Sequence, residues 1–204
     1  MMPLPQYLAI SRPAIEGSDA DWLAAGQAQI ARLSQQFSVP VALQLRPLRP
    51  VPSSIWQALL AEAAAAGILP WLNADWALVD RLGARAIHLN HTRLMAGTRA
   101  QVAAFQAAGG RVSAACHDAV SLRRAEALGV DAVLLSPVLP TSSHPGAPVL
   151  GWAGFAQLAR SARPPVYALG GVTPADLPTA RAHGGYGVAG IGAFGGAIAA
   201  ENPS

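Results

Sequence analysis

The sequence predicts an α/β fold, a single (β/α)8 TIM barrel occupying residues 1–204 as one domain. Three observations lead there. Short apolar runs alternate with helical patterns along the whole chain, with no linker or low-complexity tract between them. The runs are apolar at consecutive positions, as in parallel strands buried on both faces. The alternation reaches eight strand–helix units with no segment left over, the number that closes a barrel. The runner-up, a doubly wound open sheet, rarely uses so many evenly spaced units.

The elements follow in order. "QYLAIS" (6–11) is the first strand and 19–36 its helix. "VPVALQLR" (39–46) leads into an Ala-rich helix over 53–66, and "ILPWLN" (68–73) into a helix over 75–83. "AIHL" (86–89) precedes a helix over 94–109. "RVSAAC" (111–116) precedes one over 118–128, where Asp118 stands as N-cap before "AVSLRRAEAL". "AVLLS" (132–136) is followed by the one long irregular segment, "PVLPTSSHPGAPVLG" (137–151), and a helix over 151–161. Loops of that length in compact domains are usually functional. "PVYAL" (165–169) leads to a helix over 174–183, with Pro174 at its first position behind Thr173. "YGVAGI" (186–191) and a helix over 193–199 complete the count.

Apolar residues make up 52% and charged residues 12%, which excludes a disordered chain. No apolar stretch reaches the roughly 18 to 20 uncharged residues of a membrane span. The alanine run over 61–66 is short and contains Glu62. "MMPLPQYLAIS" has no basic n-region, so no signal peptide is read there. The single Cys116 excludes an internal disulfide and fits a reducing compartment, so a cytoplasmic location is expected. All 14 basic residues are Arg, scattered rather than striped. That gives no support to nucleic-acid binding, while the net charge of +3 suits small anionic substrates.

Two strands end in glycine. Gly170 and Gly171 follow the seventh, and Gly190 and Gly192 lie at the end of the eighth. In such barrels the active site forms at the C-terminal strand ends, and phosphate groups commonly sit on the loops after strands seven and eight. A backbone without Cβ can approach an anion closely and aim N–H groups at it. The alternative is that these glycines only turn the chain tightly. The phosphate reading names Gly170, Gly171, Ile191 and Gly192.

At this point "YALGGVTPADLPTARAHGGYGVAGIGAF" and "HDAVSLRRAEALGVDAVLLSPVLPTSSHPGAPVLGW" resemble the thiamine phosphate synthase/TenI family. "VALQLRPL", "WLNADWALVDRLGARAIHLNHTRL" and "AACH" fall in that family's order and spacing. The resemblance implies a (β/α)8 barrel. It also implies a synthase that joins a pyrimidine diphosphate to a thiazole phosphate, releasing pyrophosphate with Mg2+ held by carboxylates. The family's motifs are altered here. Asn73 is kept, but the following carboxylate position is Ala74. In "HLNHTR" the second carboxylate position holds Arg93 and a glycine position holds Asn90. Gln44 and Arg46 match the family's strand-two pattern, but Leu48 stands where it has Lys. Thr141-Ser142-Ser143-His144 replaces a Thr-x-Thr-Lys loop, and Ala115 replaces a Ser.

Three functional readings follow from that resemblance. The first is TenI-like thiazole tautomerase chemistry without Mg2+, in which His117 moves a proton near neutral pH. The second is a thiamine phosphate synthase with a degenerate Mg2+/diphosphate site, where Arg46 and Arg93 offset part of the diphosphate charge. The third is a non-catalytic module that binds a phosphate ligand or serves as a regulatory partner. The expected ligand is a small phosphorylated heterocycle contacted by Gln44, Arg46, Asn73, Thr141, Ser143 and His144. No cofactor is expected, Mg2+ entering only in the synthase reading. The resemblance leaves room for a homodimer and for a functional link to a Nudix hydrolase. Asp75 and Asp118 are expected to cap helices, and no metal ligands are assigned. A zinc site from His88, His91, Cys116 and His117 finds no support in their spacing.

Overall fold

The computed structural model describes residues 3–11, 17–47, 49–141, 146 and 148–195. Eight parallel strands close on themselves in sequence order: β1 (Tyr7–Ile10), β2 (Val41–Leu45), β3 (Leu69–Leu72), β4 (Ala86–Leu89), β5 (Arg111–Cys116), β6 (Ala132–Leu135), β7 (Val166–Leu169) and β8 (Gly187–Gly190). Closure is made by β1 and β8, with Tyr7 opposite Val188 and Ala9 opposite Gly190. The helices are α1 (Asp19–Gln36), α2 (Ser53–Ala65), α3 (Trp76–Arg81), α4 (His91–Ala96), α5 (Arg99–Ala107), α6 (Ala119–Leu128), α7 (Gly151–Ala159) and α8 (Leu177–Ala182), the last entered through a 3-10 turn at Pro174–Asp176.

Every predicted strand is present, shortened by a residue or two at several ends. The helix expected over 94–109 is two helices, because Gly97 ends α4 and Thr98 starts α5 with a capping box to Gln101. Of the helix expected over 193–199, residues 193–195 form a turn and the rest lies outside the described residues.

Strand alternation divides the apolar residues into two cores. Outward-facing Leu43, Leu45, Leu72, Ile87, Leu89, Val112 and Val133 pack under the helices. Inward-facing Leu8, Ile10, Ala42, Trp71, Ala132, Leu134 and Tyr167 fill the barrel. Tyr167 donates its hydroxyl to the Pro5 carbonyl, which closes the N-terminal end of the barrel. Trp22 of α1 meets Trp56 of α2 edge-on at 5.4 Å. Trp56 is 2% exposed, and truncating so buried a ring to Ala costs about 3–5 kcal/mol. Among the described residues no helix is long and apolar enough to cross a membrane.

Candidate active site

The same alternation builds the mouth at the C-terminal strand ends. On β2 the inward series Ala42, Gln44 continues to Arg46, and on β3 Trp71 continues to Asn73. On β5 the series Ser113, Ala115 reaches His117, and on β6 Ala132, Leu134 reaches Ser136. Gln44 is buried in the barrel, and its Oε1 has no hydrogen-bond partner. Arg46 is half-buried above it, anchored by its backbone N–H to Ser11 Oγ at 2.8 Å. Its Nε is buried without a partner.

Arg93 comes from α4, whose N-cap Asn90 accepts from the Arg93 backbone N–H at 2.9 Å. Its side chain turns inward, and Nη1 donates to Asn73 Oδ1 at 2.8 Å. Below lies His88, which bonds Ser113 Oγ through Nδ1 at 2.9 Å. Its pKa is pushed down to about 3, first by burial and then by the Arg46 and Arg93 charges. Burial lowers the pKa of Arg46 as well.

His117 follows β5, the strand next to β4. Its Nδ1 lies 2.9 Å from the Ser136 carbonyl oxygen. A carbonyl only accepts, so Nδ1 is the donor in this contact and Nε2 is the ring nitrogen not engaged by it. The His91 ring is 6.1 Å away, centroid to centroid. Asp118 does not orient His117. Its Oδ1 accepts from the Ser121 N–H at 2.7 Å as the cap of α6, and the bonds from Ser121 hold its carboxyl below the usual range. Asp75 likewise caps α3, accepting from the Leu78 N–H at 2.7 Å. Cys116 points outward into the helix-side core, where burial pushes its thiol up to about 12.

The glycines separate into two kinds. Gly170 and Gly171 have φ of +94° and +67°, and a Cβ on Gly171 would stand 2.3 Å from the Pro140 carbonyl oxygen. Leu139 also donates its N–H to the Gly170 carbonyl at 2.9 Å. Tight packing of the loop after β6 against the end of β7 thus accounts for this pair on its own. Gly192 is different, because a Cβ there would meet nothing within 4 Å. Ile191 packs against the barrel interior beside it. Thr141 lies half-buried in the loop after β6, while Ser143 and His144 lie outside the described residues, as does Leu48.

Sequence reasoning did not find Ser136 as the partner of His117 or Ser113 as that of His88. Inward parity on β5 and β6 is the signal that marks both. It left the direction of Arg93 open, and the bond to Asn73 fixes it.

These residues do not fit a hard divalent cation, which needs carboxylate oxygens. Among the described residues no three His, Cys, Asp or Glu side chains gather as a metal site. Asp75, Asp118 and Asp176 at the mouth end are taken up in helix or turn caps, Asp21 in another, and Asp19 in an ion pair with Arg49. Asn73 Oδ1 is occupied by a guanidinium.

A family model described as thiamine monophosphate synthase matches residues 53–194. The chain is 39% identical over 83 residues to a putative thiamine-phosphate synthase 2 of Aquifex aeolicus (strain VF5), a match covering 41% of this chain and 45% of that one. It is 44% identical over 79 residues to a thiamine-phosphate synthase of Salinispora tropica, covering 38% of each. The matches thus span less than half the length of these curated relatives. The solved thiamine phosphate pyrophosphorylase from Pyrococcus furiosus superposes with a TM-score of 0.70 at 17% identity, covering 94% of this chain and 88% of that one. At that identity the likeness speaks for the barrel fold. With the family model spanning α2 through β8, the chain belongs to the thiamine monophosphate synthase family.

Proposed function

We propose that this barrel acts in thiamine biosynthesis as a synthase-type transferase, joining a thiazole phosphate to a pyrimidine diphosphate. One observation supports the reading: two guanidinium groups stand on one side of the mouth, and an unobstructed glycine backbone stands apart from them at the end of β8. The Arg46 and Arg93 guanidinium groups rise from the β2–β4 side. The backbone at Gly192, where a Cβ would meet nothing within 4 Å, lies past the end of β8, which stands opposite β4 in the ring. Two such regions suit the union of two phosphorylated molecules better than the rearrangement of one.

In that reaction a carbon–oxygen bond to the diphosphate breaks, and its electron pair leaves on pyrophosphate. The thiazole nitrogen lone pair forms the new carbon–nitrogen bond. The chain's own part is to hold the two groups in line and to stabilise the departing charge with fixed cations. Gln44, Asn73 and Thr141 are proposed to contact the heterocycles. Gly170 and Gly171 shape the phosphate side, and Ile191 and Gly192 supply main-chain N–H groups.

A second reading, tautomerisation of a thiazole carboxylate phosphate, is favoured by His117. Its anchored Nδ1 leaves Nε2 open to take and return a proton. The deciding experiment incubates the protein with both substrates and separately with the thiazole alone. Thiamine phosphate and equimolar pyrophosphate are expected from the pair. Solvent-proton exchange into the thiazole alone, with no joined product, would replace the first reading by the second.

A further inference from the structure

Among the described residues, Arg46 and Arg93 form a cationic pair with no anion bonded to either. Asn73, which accepts from Arg93, bonds its own N–H to the Leu45 carbonyl beside Arg46, and among the described residues neither guanidinium is bonded to a carboxylate. The described carboxylates at this end of the barrel are engaged elsewhere, Asp75, Asp118, Asp176 and Asp21 in caps and Asp19 with Arg49. Arg49 sits in the same loop region as Arg46, and it is the one that found a carboxylate.

A half-buried guanidinium without a counter-ion is costly, and a buried N–H without an acceptor adds to the cost. Arg46 carries both liabilities, since its Nε is buried and unpartnered. Arg93 is held at the mouth by a neutral acceptor, Asn73, which orients it without neutralising it. Beneath them Gln44 Oε1 lacks a donor. The arrangement is thus incomplete without a ligand that brings negative charge against two planar donor forks. Arginine forks match phosphate oxygens in paired hydrogen bonds and stay charged throughout the ordinary pH range.

We infer that Arg46 and Arg93 form a diphosphate site that works without a divalent cation, the two guanidinium groups taking the charge-neutralising place of a metal ion. This rests on the synthase reading for the identity of the organic diphosphate, but not for the site itself. The grip is then insensitive to chelators and sensitive to salt, because charge-assisted hydrogen bonds replace metal coordination.

The test is calorimetric titration of the full-length protein with inorganic pyrophosphate, in EDTA and again with Mg2+ in place of EDTA. Arg46→Met and Arg93→Met remove each charge while keeping an apolar stem. Arg93→Lys keeps the charge and loses the fork. Pyrophosphate is expected to bind the unaltered protein in EDTA, with affinity changed less than about twofold by Mg2+. Each Met variant is expected to weaken it by about tenfold or more, the range for a hydrogen bond to a charged group, with Arg93→Lys in between. Binding that appears only with Mg2+, or no binding in either buffer, overturns the inference on the unaltered protein alone, whatever the variants' folding. Equal binding by a folded Arg93→Met protein also overturns it. Joining of the two substrates is scored in the same buffers. Pyrophosphate binding in EDTA without joined product sinks the synthase reading and leaves the site standing. Joining that requires Mg2+, with pyrophosphate binding that requires it too, does the reverse.

Discussion

Arg93 Nη1 donates to Asn73 Oδ1 across 2.8 Å, joining the end of β3 to the first turn of α4. The bond spans 20 residues of sequence and turns a helix side chain over the barrel mouth. Asn73 is thereby a positioning residue for a cation, and its neutrality matters as much as its reach.

Replacing Asn73 tests that role in two directions. Asn73→Ala frees Arg93 without altering its charge, and pyrophosphate affinity in EDTA should fall by about three- to tenfold, the worth of one hydrogen bond. Asn73→Asp keeps the contact but supplies the missing counter-ion. It should weaken binding further than Asn73→Ala despite being the closer isostere. If Asn73→Asp binds as well as the unaltered protein, the guanidinium charge is not what the ligand meets.

The glycines at the ends of β7 and β8 should respond oppositely. Gly171→Ala meets the Pro140 carbonyl at 2.3 Å from a φ of +67°, so it should destabilise the fold by about 2–4 kcal/mol in thermal or urea unfolding. Gly192→Ala meets nothing within 4 Å, and its stability should stay within about 0.5 kcal/mol. Titration with a thiazole phosphate should still show loss of affinity in Gly192→Ala, because the added methyl stands where the anion is proposed to rest. Unchanged affinity would move the phosphate away from the end of β8.

The barrel was legible because doubly buried strands write themselves as continuous apolar runs, and each run here is followed by a helical pattern. The break between α4 and α5 was missed, because a single helix was read over 94–109, although Gly97, Thr98 and Gln101 spell a stop followed by a capping box. The site was legible as far as parity and family spacing carry. Gln44, Arg46, Asn73 and His117 all fall at inward positions near strand ends. Contacts made across the mouth were not legible. The meeting of His91 with His117, the anchoring of His117 by Ser136, and the turn of Arg93 onto Asn73 depend on how neighbouring strand ends are spaced. Sequence also favoured an anion-binding role for Gly170 and Gly171, where close loop packing already demands glycine.

Cys116 offers a check on the core. It is fully buried on the outer face of β5, and burial pushes its thiol up to about 12. The reactive species is the thiolate, so the folded protein should resist iodoacetamide at pH 8 and react fully in denaturant. Mass spectrometry of the alkylated chain reads the outcome. Rapid labelling of the folded protein would mean that β5 is not packed under α6.

His88 gives the fold a pH dependence whose sign can be worked out. Its ring is buried and bonded to Ser113, and burial together with the Arg46 and Arg93 charges pushes its pKa down to about 3 from the ordinary 6.5. The unfolded chain therefore takes up a proton at this residue at a higher pH than the folded one does. Above pH 6.5 both states hold a neutral ring, and the contribution to stability is fully present. As pH falls from 6.5 toward about 3, the unfolded state gains the proton alone, and stability drops by about 1.4 kcal/mol per pH unit at most. Asp118, whose carboxyl is held below its usual range by Ser121, adds to the loss only near and below pH 3.8. The window between pH 6 and 4.5 thus isolates the buried imidazole. Urea unfolding at half-unit pH steps should show a falling midpoint across that window. A His88→Asn variant, which keeps a polar partner for Ser113 but cannot be charged, should flatten it. Pyrophosphate should oppose the loss in the unaltered protein, because an anion between Arg46 and Arg93 relieves part of the positive field on the ring. A midpoint that stays level from pH 6.5 to 4.5 would mean that His88 is reached by water or paired with an acid in the folded state, against the burial described above.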